Sequence, residues 1–267
     1  MNNPQVPDVW QRGDPYERYV GRWSRQVAPS FVNWLDVSVG RRWLDIGCGT
    51  GALCAAILDA CEPSSVVGVE PSEGFLESAR RHLEGRVAFH QGSATAIPLA
   101  DSSVDVVVSG LVLNFVPDQA AALAEMTRVA SKGGMIGAYV WDYAEKMELM
   151  RYFWDAAVQL DPNFDALDEG LRFPLCRPEA LTELFAVAKL EHIEVRAIDI
   201  PTLFASFEDY WSPFLGGQGS APAYAMLLDE SARLRLRESL KERIPVLSDG
   251  SISMVARAWA IRAQVAD

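Results

Sequence analysis

The sequence predicts an α/β fold built on a doubly wound parallel sheet. Three observations predict it. Strand-length apolar runs alternate with helix-period segments from Arg41 to Trp141. A glycine cluster marks the turn from the first strand into the first sheet helix. The run Val104–Ser109 is apolar almost throughout and bounded by turn residues, as suits a strand buried on both faces.

Each element follows from its pattern. Tyr16, Tyr19, Val20, Trp23 and Val27 repeat at helical spacing, and Pro29 restarts the helix with Phe31, Trp34 and Leu35. Arg41–Ile46 is the first strand, and ALCAAILDAC after the glycines is a helix. Ser65–Glu70 is the second strand, SEGFLESARRHL a helix and Val87–Gln91 the third strand. After the fourth strand at Val104–Ser109, Pro117 opens a helix through Ala130, Lys132-Gly133-Gly134 turns, and MIGAYVW is the fifth strand. A helix from about Glu145 to Leu160, a polar loop through Gly170, a helix after Pro178 and a strand from about Leu190 to Ile200 follow. An interruption of some fifty residues separates that strand from a last one, about Ser251 to Arg262.

The expected organisation is therefore one domain over 1–267. It has an N-terminal helical lid at 15–37, a core at 41–142 and a cap inserted at 203–245. Aromatic residues crowd the start of the cap, among them Phe204, Phe207, Tyr210, Trp211 and Phe214, and Gly216-Gly217-Gln218-Gly219 follows as a hinge. On this reading Trp211 belongs to a substrate lid, and its removal lowers turnover without lowering the melting temperature.

Composition excludes several functions. The formal net charge is −12, which repels polyphosphates and argues against nucleic-acid partners. The arginine-rich run RLRLRESLKER is interleaved with acids and reads as a solvated helix face. Cys48, Cys54, Cys61 and Cys176 form neither a CxxC pair nor a disulfide framework, so a reducing cytoplasm and no metal are expected. The polar start lacks a secretory pattern, and no apolar run is long enough to insert in a membrane.

Two features carry chemistry. In Leu44-Asp45-Ile46-Gly47-Cys48-Gly49-Thr50-Gly51 the glycines let a ligand lie against the main chain where a strand becomes a helix. Glu70 ends the next strand, beside that loop in a doubly wound sheet, where a carboxylate can accept both hydroxyls of a ribose. Together they indicate nucleoside binding. Dinucleotide-binding loops need G-x-G-x-x-G, whereas this loop reads G-x-G-x-G. Asp45 ahead of it would repel a pyrophosphate and attract the α-ammonium of a methionine moiety. S-adenosylmethionine is the cofactor that fits.

The ordered set LDIGCGTG, VVGVEPS and HQGSATAIPLADSSVDVVVSGLVLNFVPD resembles the class I S-adenosylmethionine-dependent methyltransferases over about residues 15–142. It is most similar to their type 11 branch, which includes quinone-biosynthesis C-methyltransferases. The resemblance implies a Rossmann-like, seven-stranded, mostly parallel sheet with an antiparallel last strand. It places Asp45, Gly47, Cys48 and Gly49 along the methionine and ribose, Glu70 on the ribose hydroxyls and Pro71 by the adenine. Where the family often has G-D-A, this chain has Gly92-Ser93-Ala94, with Ser93 a shorter, neutral contact and Ala94 offering its N–H. Ser109 would face the methionine, and Tyr19 and Arg22 would close over the cofactor, Arg22 toward its carboxylate.

Asn114 and Phe115 follow the fourth strand, on the side from which an acceptor would approach the methyl group. Methyl transfer from a sulfonium mainly needs alignment, so no catalytic base is assigned. His82, His90 and His192 are read as structural, as are Asp101 and Asp105. The leading function is methyl transfer to a small molecule. A protein or RNA acceptor, and a non-catalytic cofactor-binding regulator, stand as the alternatives.

Overall fold

The computed structural model describes residues 17–161, 167–216 and 219–266. Expectations that fall on Tyr16, Gly217 and Gln218, and on part of the loop before Gly170, lie outside them.

The chain divides into two compact units. Among the described residues, a sheet unit comprises 24–140, 175–198 and 258–266, and a helical unit comprises 17–23, 141–161, 167–174, 199–216 and 219–257. A π-helical turn, Glu17–Gly21, leads into α1 (Arg22–Leu35). The next elements are β1 (Arg42–Ile46), α2 (Ala52–Ala60), β2 (Ser65–Glu70), α3 (Glu73–Leu83), β3 (Ala88–Gln91), β4 (Val104–Gly110), α4 (Gln119–Val129) and β5 (Ala130–Trp141). After them come α5 (Glu148–Leu160), α6 (Glu169–Arg172), α7 (Pro178–Val187), β6 (Glu191–Phe204), α8 (Phe207–Trp211), α9 (Ser220–Leu227), α10 (Glu230–Arg243) and β7 (Ile252–Gln264).

The seven strands lie in the order β3-β2-β1-β4-β5-β7-β6. Pairings β1–β2, β1–β4, β2–β3 and β4–β5 are parallel. The last strand is reversed. Val265 donates its N–H to the Gly134 carbonyl and accepts from the Gly133 N–H, the reciprocal exchange of an antiparallel pair. Arg257 bonds Asp199 while Arg262 bonds Glu194, so numbering rises along β7 as it falls along β6.

Local chemistry explains the elements of the sheet unit. Val104, Val106, Val107 and Val108 are buried, as a strand covered on both faces requires. Ser72 caps α3 by accepting the Phe75 N–H, Glu73 lies in its first turn, and Arg80, Arg81 and His82 lie in its last, each suited to the helix dipole. Phe75, Leu76, Ala79 and Leu83 form its buried face. Asp105 accepts from Arg42 and Asp101 from Arg128, so both acids serve the structure.

Several boundaries differ from the sequence reading. Pro29 does not restart a helix but sits inside continuous α1, because burial of Ala28, Phe31, Val32 and Leu35 outweighs the N–H that proline lacks. Lys132-Gly133-Gly134 does not interrupt the fifth strand. β5 begins at Ala130, and its glycines pair with Val265. β6 runs on to Phe204, so Phe204 is a strand residue, and the stretch between β6 and β7 is helical.

Candidate cofactor and acceptor site

The site is assembled at the carboxyl ends of β1, β2 and β4. β1 ends at Ile46, and the chain turns back through Gly47, Gly49 and Gly51, all with positive φ (71°, 52° and 90°). The turn is pinned from β2, whose Val69 carbonyl accepts the N–H groups of Gly47 (2.7 Å) and Cys48 (3.2 Å). A Cβ on Gly47 would lie 2.5 Å from Val112 Cγ2, so side-chain bulk is excluded there. A Cβ on Gly49 would meet nothing nearer than the Gly47 carbonyl oxygen at 3.9 Å, leaving that stretch of backbone open to a ligand.

Glu70, at the end of β2, is buried. Its Oε2 accepts the Gly49 N–H (3.2 Å) and its Oε1 accepts the Ser72 N–H (2.9 Å), so one carboxylate ties the glycine loop to the start of α3. Burial raises its pKa against the pull of those two N–H groups. Each carboxylate oxygen keeps further acceptor capacity, which suits two adjacent hydroxyls.

Asp45 is only 1% exposed. Its Oδ2 accepts the Cys54 thiol at 3.2 Å, and its Oδ1 is buried with no partner. Burial first, and then the charge of Glu70, push its pKa up to about 7 against the opposing Cys54 hydrogen bond. A buried carboxyl group with an orphaned oxygen is suited to a cationic hydrogen-bond donor.

On the β3 side, the Pro71 carbonyl accepts from Gln91 Nε2 (3.0 Å). Exposed Ser93 uses its hydroxyl locally, with the Thr95 hydroxyl (2.9 Å) and the Thr95 N–H (3.2 Å), and Ala94 beside it is half-buried. Ser109 is fully buried and donates to the Ile46 carbonyl (3.0 Å), bonding β4 to the end of β1.

Beyond β4 the chain crosses toward the glycine loop. Leu111 takes a left-handed φ of 63°, a strained state for a branched residue, and Val112 then packs on Gly47. A short 3-10 turn, Leu113–Phe115, holds the next two residues. Asn114 is buried, yet neither Nδ2 nor Oδ1 has a partner, while Phe115 is half-buried. An orphaned amide costs stability, and this one lies two residues beyond Val112, which packs on Gly47.

Tyr19, Arg22 and Trp211 lie in the helical unit. The Tyr19 ring is 5.4 Å from that of Phe214, and the Trp211 ring is 6.1 Å from it, so both reach the same phenylalanine. Arg22 pairs with Asp209 through Nη1 (3.1 Å). Sequence reasoning missed Cys54 and Val112. Neither carries a local signal, since the thiol reaches Asp45 across nine positions and Val112 reaches Gly47 across sixty-five. Among the described residues no His/Cys/Asp/Glu group suits a metal, and no helix is long and apolar enough to cross a membrane.

A glycine loop after β1, an acid ending β2 and a reversed last strand are the features of the class I S-adenosylmethionine-dependent methyltransferase fold. Residues 44–137 match a family described as a methyltransferase domain, of type 11. The chain is 31% identical over 143 residues to a demethylmenaquinone methyltransferase of Lactobacillus johnsonii, across 51% of this chain and 58% of that protein. It spans 36%, 58% and 46% of the lengths of the first curated relatives that it matches. In fold it is similar to a phosphoethanolamine N-methyltransferase 2 of Haemonchus contortus bound to S-adenosylhomocysteine. The TM-score is 0.58 at 17% identity, covering 94% of this chain and 56% of that one. It is also similar to the [4+2]-cyclase SpnF, with a TM-score of 0.59 at 17% identity, covering 100% of this chain and 90% of that one. Residues 44–137 carry the match to the methyltransferase domain, and the rest of the chain lies outside it.

Proposed function

We propose that the chain transfers a methyl group from S-adenosylmethionine to a small-molecule acceptor held beside Asn114. The observation that carries this reading is the buried Asn114 amide, without a partner at either atom, two residues beyond the valine that packs on the glycine loop. A relative named as a demethylmenaquinone methyltransferase and a net charge of −12, which disfavours RNA, both support a small acceptor.

The residues present fit the cofactor. Asp45 Oδ1 would receive the ammonium group, the open backbone at Gly47, Cys48 and Gly49 would lie along the methionine and ribose, and Glu70 would accept the ribose hydroxyls. Pro71, Ser93 and Ala94 would border the adenine, and Ser109 holds the end of β1 beneath the methionine. When bound, S-adenosylmethionine supplies a methyl carbon made electrophilic by a positively charged sulfur. Asn114 orients the acceptor, because Nδ2 can donate to an acceptor oxygen while Oδ1 accepts from a hydroxyl or amine. Phe115 offers an apolar surface beside it. Alignment of this kind supplies effective molarities on the order of 10⁵–10⁸ M without a dedicated base.

The test is release of S-adenosylhomocysteine when the purified protein is incubated with S-adenosylmethionine and a fractionated metabolite extract, for wild type and Asn114→Leu. Leucine keeps the volume and removes an amide that has no partner. Turnover on one small-molecule fraction should fall at least a hundredfold in the variant while its melting temperature holds or rises. Equal turnover in both proteins would remove Asn114 from the acceptor site, and turnover only on protein or RNA fractions would overturn the acceptor class.

A further inference from the structure

Three arginines in this chain grip carboxylates by their Nε/Nη2 edge. Arg42 bonds Asp105 through Nε (3.1 Å) and Nη2 (2.7 Å). Arg128 bonds Glu125 through the same two atoms (2.6 and 2.7 Å), and Arg257 bonds Asp199 likewise (2.7 and 2.8 Å). The two N–H bonds on that edge run parallel at the spacing of two carboxylate oxygens, and the fork is rigid.

Arg22 departs from the pattern. Its guanidinium lies over the Trp23 ring at 4.4 Å and over the Phe204 ring at 4.9 Å. Stacking covers its faces and leaves only its edges for hydrogen bonds. Nη1 serves Asp209, but Nε and Nη2 are buried without a partner. A charged donor edge left unpaired away from water is strongly unfavourable, so an acceptor belongs there.

Four further side chains of the helical unit hold a buried atom without a partner, Asp142 through Oδ2 and three through donors. Tyr19 Oη, Trp23 Nε1 and Thr202 Oγ1 are buried and unpartnered, and all three residues are more than nine-tenths buried. Thr202 and Phe204 lie two apart on β6 and share its buried face, so the threonine hydroxyl lies on the side of the strand that faces Arg22. Tyr19, Trp23 and Thr202 each offer an N–H or O–H donor, as the open edge of Arg22 does. A ligand that answers them brings oxygens, and the charge of Arg22 selects an anion. Trp23 packs on Phe204 and Tyr19 on Phe214, each at 5.4 Å, so the rings around the edge are aromatic.

We propose that the helical unit binds an aromatic carboxylate, with its two oxygens on the Nε/Nη2 edge of Arg22. This rests on the reading of the chain as a small-molecule methyltransferase, which takes a small organic molecule as its ligand. The cofactor's own carboxylate offers the same chemistry, and the experiment separates the two.

Calorimetry with 4-biphenylcarboxylate and its uncharged amide, 4-biphenylcarboxamide, is run with and without saturating S-adenosylhomocysteine. The carboxylate should bind at least tenfold more tightly than the amide in either condition, and Arg22→Lys, which keeps the charge but not the fork, should abolish that preference. Tyr19→Phe and Thr202→Val should weaken carboxylate binding two- to fivefold while the melting temperature holds or rises, since each removes a hydroxyl with no partner. Equal binding of both probes, or binding of neither, overturns the proposal. So does competition between the carboxylate and S-adenosylhomocysteine, or a loss of S-adenosylhomocysteine affinity in Arg22→Lys, because the fork then belongs to the cofactor. Carboxylate binding by a protein that does not bind S-adenosylhomocysteine sustains the anion site and removes the methyl-transfer reading instead.

Discussion

Glu70 accepts the Gly49 N–H at 3.2 Å, so the acid that ends β2 also sets the glycine loop that follows β1. Position and contact are fixed by the same side chain. Glu70→Ala should therefore weaken S-adenosylhomocysteine binding by about 1.5–3 kcal/mol, roughly ten- to a hundredfold, by deleting a charged acceptor. Glu70→Gln keeps one acceptor oxygen and should lose less. Isothermal calorimetry measures both, and wild-type affinity in both variants would take Glu70 out of the cofactor site.

Asp45 predicts a pH dependence. Its pKa in the folded chain, about 7, lies above its ordinary value of 3.8, so between those values the folded protein holds a proton that the unfolded chain releases. Its contribution to stability is then present at low pH and falls as pH rises through that window. Urea unfolding from pH 4 to 8 should show a decline that Asp45→Asn flattens. A cationic ligand favours the carboxylate, so S-adenosylhomocysteine should release a proton on binding at pH 6 and little at pH 8. Calorimetry in buffers of different ionisation heat counts that proton. Identical pH profiles for wild type and Asp45→Asn would show that Asp45 does not titrate in this range.

The contact of Gly47 with Val112 predicts a rescue. Gly47→Ala adds a Cβ 2.5 Å from Val112 Cγ2 at a φ of 71°. Overpacking costs roughly 1–3 kcal/mol, and the left-handed backbone costs ~1–2 kcal/mol more. Val112→Ala in the same chain should recover the packing part and leave the backbone part. A double-mutant cycle by urea unfolding measures the coupling. Additive losses would mean that the two residues do not meet.

Trp211 is 3% exposed and packs against Phe214 within the helical unit. Trp211→Ala should therefore destabilise the fold by ~3–5 kcal/mol, as loss of a buried indole does, and Trp211→Phe should cost much less. This reverses the unchanged melting temperature expected of a lid residue. Thermal unfolding of the two variants decides it, and a Trp211→Ala melting temperature within a degree of wild type would restore the lid.

Much of the sheet unit was readable because its determinants are local. Gly47, Gly49 and Glu70 announce a tight turn and a strand-end acid by residue type and spacing, and the valines of β4 state their own burial. The reading failed where distant packing overrode local preference. Pro29 looks like a break, but the buried face of α1 carries the helix through it. Gly133 and Gly134 look like a turn until Val265 pairs with them. The sequence placed Arg22 toward the cofactor's carboxylate and gave no sign of Asp209, 187 positions away, on its Nη1. No window of sequence contains that pair.

The division of the chain has a consequence for how such a protein diversifies. The matched segment 44–137 lies wholly inside the sheet unit, whereas Tyr19, Arg22, Trp23, Thr202 and Trp211 all lie in the helical unit, built from three separated stretches. Substitutions that reshape the helical unit leave the hereditary signature at 44–137 untouched. Kinship read from the glycine loop and Glu70 therefore reports on the matched segment and not on the helical unit. Arg22, proposed to hold a carboxylate, lies outside the matched segment, whereas Asn114, proposed to hold the acceptor, lies inside it.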